Sequence, residues 1–159
     1  MTTAVSVVAH LLDHPQWPLL IYPEILKAPT AEAFEELFTR NRWPPAWRNG
    51  VLPFHHFHSN SHEVLGIYSG EVTVQFGGDA GVTVTARPGD VIVLPAGTGH
   101  KKLASRGSLG VVGAYPEGSM PDACRVFSKS HQEAIARVPL PACDPVHGPQ
   151  GPLFSHWRA

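Results

Sequence analysis

Residues 50–70 read GVLPFHHFHSNSHEVLGIYSG and hold four histidines and a glutamate within nine positions. Side chains on an extended strand alternate between its two faces, so His56 and His58 share one face while His55 takes the other. This spacing predicts a pair of imidazoles that can coordinate one ion.

A second stretch, residues 89–100, reads GDVIVLPAGTGH. Its apolar run is typical of a buried strand, and Pro95 and Gly97 then predict a turn that leads to His100. We interpret His100 as a third nitrogen ligand beside the carboxylate of Glu63. Imidazole and carboxylate groups suit first-row divalent metals, and such a set leaves coordination positions open. The sequence therefore predicts one divalent transition-metal ion, compatible with Fe, Mn, Ni or Zn, on His56, His58, Glu63 and His100.

The two stretches resemble the two-part signature of the cupin superfamily. Its first part is Gly, five residues, His-x-His, three or four residues, Glu, six residues and Gly, met here by Gly50, His56, His58, Glu63 and Gly70. Its second part is Gly, five residues, Pro-x-Gly, two residues, His, three residues and Asn, met by Gly89, Pro95, Gly97 and His100. Ala104 stands where the family usually has Asn.

The resemblance implies an all-β fold, a cupin-type double-stranded jelly-roll β-barrel. It spans roughly residues 50–116 and implies the same four metal ligands. Among cupins, both dioxygenases and sugar isomerases or epimerases use such a site. Because no further side chain stands out as a general base, a dioxygenase-like reaction on a small oxygenated molecule has more support than isomerisation. A non-catalytic protein that binds a sugar or organic acid through its metal, and a purely structural metal, remain open alternatives.

The composition excludes several classes of partner. The chain has 159 residues, which fits a single domain over 1–159. Charged residues make up 16% and the formal net charge is -1, so we expect no binding to nucleic acid or to an anionic membrane. The N-terminus has no Lys or Arg before its apolar run, and two cysteines are too few for a disulfide framework. We therefore predict a cytoplasmic protein that binds a small molecule.

Around the barrel core, we expect an N-terminal arm and helix over 1–49 and a C-terminal helix and Pro-rich strap over 117–159. Residues 4–9 and 17–22 read as edge strands or wrapping arms, and residues 30–41 and 130–138 as short helices. Ser69 and Gly70 predict a turn between two strands, and residues 153–157 a short strand or anchor. The four tryptophans, Trp17, Trp43, Trp47 and Trp157, are expected to cover sheet edges within one subunit or across a homodimer, which we favour.

The other histidines are expected to stay outside the metal centre. His62 precedes Glu63, which predicts a supporting or surface position rather than a ligand. His55 should point outward, and Tyr68 should pack on the outer face. The remaining histidines are expected at the surface or in the outer segments: His10, His14, His131, His147 and His156.

Overall fold

A computed structural model describes residues 5–8 and 16–158. Its strands are β1 (Ser6–Val8), β2 (Leu19–Tyr22), β3 (Pro45–Asn49), β4 (Glu63–Phe76), β5 (Val82–Ala86), β6 (Val91–Leu94) and β7 (His100–Ala114). Its helices are α1 (Ala31–Arg40), α2 (Lys129–Arg137) and α3 (Leu153–His156). His10 and His14 lie outside the described residues. No helix of the described part is long and apolar enough to cross a membrane.

The described strands form one antiparallel sheet in the order β1-β2-β6-β4-β7-β3, with β5 paired to β4. Strands β4 and β7 pair along most of their length, and register shifts between residues 67 and 74 bend the pair. The predicted turn at Ser69 and Gly70 is therefore wrong, because β4 continues through it. Gly70 has φ +70° there, and a Cβ would lie 2.8 Å from the Arg106 carbonyl oxygen. The bent sheet is the all-β jelly-roll that the sequence predicts.

Strand β4 separates two apolar layers. Val64 faces an outer layer that includes Phe34 and Phe38 of α1, whereas Leu65 and Ile67 face the barrel interior. Alternation along the strand places Glu63 in phase with the interior pair. Both faces of this part of β4 are buried, and the alternation turns the carboxylate into the barrel.

Helix α1 confirms the N-terminal helix prediction. The Thr30 side chain caps it by accepting from the Ala33 N–H at 3.0 Å, and Phe34 and Phe38 are fully buried. Gly66 gives the Phe34 ring room, since a Cβ at Gly66 would approach that ring to 2.7 Å. The helix therefore packs directly on the back of the strand that carries Glu63.

The C-terminal residues wrap the barrel. Helix α2 confirms the second helix prediction, but residues 153–157 form one helical turn rather than a strand, anchored by the buried Leu153 and Trp157. Buried Asp144 accepts from the Tyr22 hydroxyl at 2.5 Å and from the Leu153 N–H at 3.0 Å. This carboxylate links α3 to strand β2, and the hydrogen bonds that it accepts compensate for its burial.

Candidate metal centre

The two halves of the histidine motif meet across a short antiparallel bridge. His56 N–H donates to the His100 carbonyl at 3.2 Å, and His100 N–H donates to the His56 carbonyl at 2.9 Å. Gly97 N–H donates to the His58 carbonyl at 2.7 Å. The turn at Gly97, with φ +89°, thus packs beside residues 56–58 and places His100 next to them.

Three of the four predicted ligands lie together. Ligand atoms of His58, Glu63 and His100 are all within 4.8 Å of one another. Glu63 Oε1 is 3.4 Å from His58 Nε2 and 3.3 Å from His100 Nε2. His56 lies beside this group, with its ring centroid 4.0 Å from that of His100 and 6.1 Å from that of His58. All four residues border one cavity.

Each of the three imidazoles is oriented through its Nδ1 atom. Nδ1 of His56 lies 3.0 Å from the Phe54 carbonyl oxygen, and Nδ1 of His100 lies 3.0 Å from that of Thr98. Nδ1 of His58 contacts the Asp122 carbonyl oxygen. A carbonyl only accepts, so each Nδ1 carries the hydrogen and each neutral ring keeps its Nε2 lone pair for a metal.

The burial and contacts of Glu63 show whether these residues suit a cation. It is 2% exposed, and its Oε1 has no hydrogen-bond donor within the described residues. Burial alone would raise the pKa of Glu63, but the contacts with His100 and His58 lower it overall. For His58 burial alone would lower the pKa, but contact with Glu63 raises it overall. Both shifts indicate that positive charge is favoured between the carboxylate and the two imidazoles, which a divalent cation supplies.

His56 contributes a neutral ring to this environment. Burial and the nearby His100 lower the pKa of His56 to about 4. Its imidazole is therefore uncharged at neutral pH, the form in which a histidine binds a metal.

The candidate centre opens into a cavity of about 220 Å³. Apolar side chains form much of its wall, and no Lys or Arg is among the described residues that line it. Besides the four predicted ligands, the lining consists of Trp47, Asn49, Gly50, Val51, Leu52, Leu65, Tyr115 and Ala123. The cavity therefore combines the carboxylate of Glu63 with a largely apolar wall.

Tyr115 is a site residue that the sequence reasoning missed. Trp47 Nε1–H donates to its hydroxyl at 3.1 Å, and the hydroxyl lies close enough to the Glu63 carboxylate to be affected by its charge. Burial and the Glu63 carboxylate raise the pKa of Tyr115, so the hydroxyl keeps its proton at neutral pH. The signal was in the alternation: Val111 faces the barrel interior, and Tyr115 follows in the same phase just past the end of β7.

His62 takes the supporting position rather than a ligand position. Its Nδ1 accepts from the Ala96 N–H at 2.9 Å, so its Nε2 carries the hydrogen and donates to the Pro139 carbonyl at 2.8 Å. The ring lies 4.8 Å from Trp157 and 5.7 Å from Trp17 between centroids. Burial lowers the pKa of His62 to about 4, which keeps this bridge neutral. His62 thus joins the turn before His100 to the C-terminal strap.

The remaining candidates lie away from the cavity. His55 points outward, where its Nε2 is 2.8 Å from Asp79. His131, expected to face solvent, instead packs edge-on against Phe57 at 5.3 Å between centroids, because α2 folds back on the barrel. The other positions are outside the site too: Tyr68 packs over Gly110, His147 stacks on Tyr22, and His156 is exposed.

The one departure from the motif lies outside the cavity. Ala104 is exposed on β7, where it pairs with Thr73 of β4. The usual Asn is therefore replaced at a position that does not border the candidate centre.

The family described as "Cupin domain" matches residues 47–107. The chain is 41% identical over 148 residues to the uncharacterized protein YjlB of Bacillus subtilis, covering 91% of this chain and 88% of that protein. It resembles a DUF861 family protein of Thermotoga maritima at 25% identity and TM-score 0.35, over 55% of this chain and 92% of that one. It also resembles dTDP-6-deoxy-D-glucose-3,5-epimerase of Legionella pneumophila at 14% identity and TM-score 0.43, over 82% of each chain. With the jelly-roll fold and both motif halves in place, the family match and the Bacillus relative show that the chain belongs to the cupin superfamily.

Proposed function

We propose that the protein is a metal-dependent enzyme, dioxygenase-like, that acts on a small oxygenated organic molecule. His56, His58, Glu63 and His100 would hold one divalent ion. The observation that supports this most is Glu63 Oε1, a buried carboxylate oxygen that faces two imidazole Nε2 atoms and has no donor in the part of the chain that the structure describes. A carboxylate buried in this way is costly unless a cation compensates it.

When bound, the ion would supply Lewis acidity and, if redox-active, one-electron chemistry toward dioxygen. The ligand set accepts Fe, Mn, Ni or Zn, and cellular supply would decide among them. The protein's own contribution is to fix the Nε2 lone pairs through the Nδ1 hydrogen bonds and to keep the cavity small.

The cavity favours an uncharged or singly charged substrate. Its volume of about 220 Å³ suits a small molecule, and none of its described lining residues is a Lys or Arg that could hold a second anionic group. Trp47 and Leu52 offer apolar surface, while Asn49 and Tyr115 are polar groups outside the ligand set. This pattern supports a compact diol or hydroxyketone with an apolar part, rather than a dicarboxylate or a sugar nucleotide.

Tyr115 supports a second candidate, an isomerase or epimerase. Such a reaction needs a positioned proton donor, and the Tyr115 hydroxyl is held by Trp47 at the cavity wall, near Glu63. Its raised pKa keeps the hydroxyl protonated at neutral pH, so it can act as a hydrogen-bond or proton donor and not as a base. Either reaction can therefore use Tyr115 as a general acid.

Elemental analysis of freshly purified protein tests the metal assignment first. Oxygen consumption and product formation would then be followed after Fe(II) loading, with neutral diols and hydroxyketones compared against dicarboxylates. Glu63→Gln is the matched inactive control. Turnover of a neutral compound by the wild type alone would support the enzyme. Metal-dependent binding without turnover across the metals and substrates would favour the non-catalytic binding protein.

We also propose that the chain works as a homodimer in the cytoplasm. Trp17, Trp43 and Trp157 are buried within one chain, so they do not supply the interface. Leu52 and Leu103 are nearly half exposed and offer apolar surface for it. Sedimentation equilibrium at several concentrations tests the assembly, and a monomer throughout would refute it.

A further inference from the structure

Residues 119–124, named here the flanking segment, lie beside residues 56–58 of the histidine motif. Phe57 N–H donates to the Cys124 carbonyl at 2.9 Å, and Cys124 N–H donates to the Phe57 carbonyl at 2.8 Å. Ala123 lines the cavity. The segment therefore forms part of the site, although it lies beyond residues 50–116, to which the barrel core was assigned from sequence.

Asp122 fixes the flanking segment to the loop after His58. Its Oδ1 accepts from the Ser59 N–H at 2.7 Å, and its Oδ2 accepts from the Ser59 hydroxyl. Its own N–H donates to Asn60 Oδ1 at 2.9 Å, and Asn60 Nδ2 donates to the Met120 carbonyl at 3.0 Å. These reciprocal bonds leave the Asp122 backbone little freedom relative to Ser59.

The Asp122 carbonyl is the group that accepts the Nδ1 hydrogen of His58. For His56 and His100, the corresponding carbonyl lies only two residues earlier in the chain. For His58 it lies 64 residues away. Of the three imidazoles, His58 alone is therefore oriented by a segment outside the histidine motif.

We propose that Asp122 is a positioning residue for the metal centre: its carboxylate holds the backbone carbonyl that orients His58. This inference rests on the proposed metal site. A group that fixes the second nitrogen of a metal-bound imidazole typically changes metal affinity by about 10–100-fold. The carboxylate acts one step further out, through the carbonyl of its own residue.

The test uses Co(II), whose visible absorption reports the geometry of its ligands, with the full-length protein. Titration would give the Co(II) Kd and spectrum for the wild type, Asp122→Ala, Asp122→Asn and Ser59→Ala. Asp122→Ala should weaken Co(II) binding about 10-fold or more and change the spectrum. Asp122→Asn keeps an acceptor for the Ser59 N–H and should restore most of the affinity. Asp79→Asn, which removes an exposed carboxylate that contacts His55, should bind as the wild type does.

Thermal unfolding of the metal-free variants separates positioning from folding. If Asp122→Ala does not fold, Ser59→Ala still tests the inference, because it removes only the hydroxyl that donates to the Asp122 carboxylate. It should change affinity and spectrum in the same direction by a smaller factor. An Asp122→Ala or Ser59→Ala variant that folds and retains the wild-type Kd and spectrum would overturn the inference while leaving the metal site intact. Failure of the wild type itself to bind Co(II) would overturn both proposals.

Discussion

His56 and His100 face each other across two backbone hydrogen bonds of 3.2 and 2.9 Å, with their ring centroids 4.0 Å apart. Residues 44 positions apart in sequence thus share one bridge, and their neighbours His58 and Glu63 converge on the same point. The backbone, not the side chains, holds this arrangement. Substitutions of the imidazoles should therefore alter metal binding more than folding.

His58→Ala should remove most of the bound metal while the barrel stays folded. The His58 side chain is 12% exposed and lies outside the named strands, so its loss removes a ligand and little core packing. The measurement is metal content per chain by elemental analysis, with far-ultraviolet circular dichroism as the folding check. His55→Ala, which alters an outward imidazole, is the matched control. Full metal stoichiometry in His58→Ala would contradict the ligand assignment.

Glu63→Gln should separate the stability of the metal-free protein from stabilisation by metal. The contacts with His100 and His58 that lower the pKa of Glu63 also stabilise the fold at neutral pH, so the metal-free variant should unfold at an equal or lower temperature than the wild type. The wild type should gain about 2.7 kcal/mol when free metal is 100 times its Kd, and the variant should gain far less. Differential scanning calorimetry with and without metal measures both quantities. Equal metal-induced shifts in the two proteins would show that Glu63 is not a ligand.

Tyr115→Phe should lower kcat without removing the metal. The variant loses the hydroxyl that accepts from Trp47 and lies near Glu63 but keeps the ring and the four proposed ligands. Loss of a general acid typically lowers the rate by about 10²-fold or more. Once a substrate is found, steady-state kinetics and metal analysis would be run together. Tyr68→Phe, on the outer face of β4, should leave both unchanged, and an unaltered kcat in Tyr115→Phe would exclude the proposed proton donor.

The sequence predicted those parts of the fold that follow from local periodicity. The helices predicted over residues 30–41 and 130–138 correspond to α1 and α2, and the apolar run before Pro95 is β6. The spacing of His56, His58 and His100 also gave the family and a cluster of candidate ligands. Each feature, including the spacing within each half of the motif, depends on residues a few positions apart, which a single sequence displays.

Contacts between distant segments were not predictable in the same way. Ser69 and Gly70 look like a turn, but pairing with β7 stabilises a bulge there instead. The contact between His58 and the Asp122 carbonyl depends on how the C-terminal residues dock, and nothing in the local pattern of either residue reveals it. The alternation of Tyr115 with Val111 was visible in the sequence, but its place at the cavity wall depends on how β7 packs beside the histidine motif. Tertiary packing decided each of these cases.

His62→Ala should destabilise the fold and lower metal affinity as a secondary effect. The variant leaves the Ala96 N–H and the Pro139 carbonyl without their partner, and each loss costs about 1–3 kcal/mol, so the free energy of unfolding should fall by about 3 kcal/mol. Ala96 lies in the turn that leads to His100, so the turn should loosen as well. Urea unfolding of the metal-free protein measures the first effect and metal titration the second. His62→Asn keeps an acceptor for the Ala96 N–H and should lose less, whereas exposed His156→Ala should change neither quantity. Unchanged stability in His62→Ala would mean that the strap is held without this bridge.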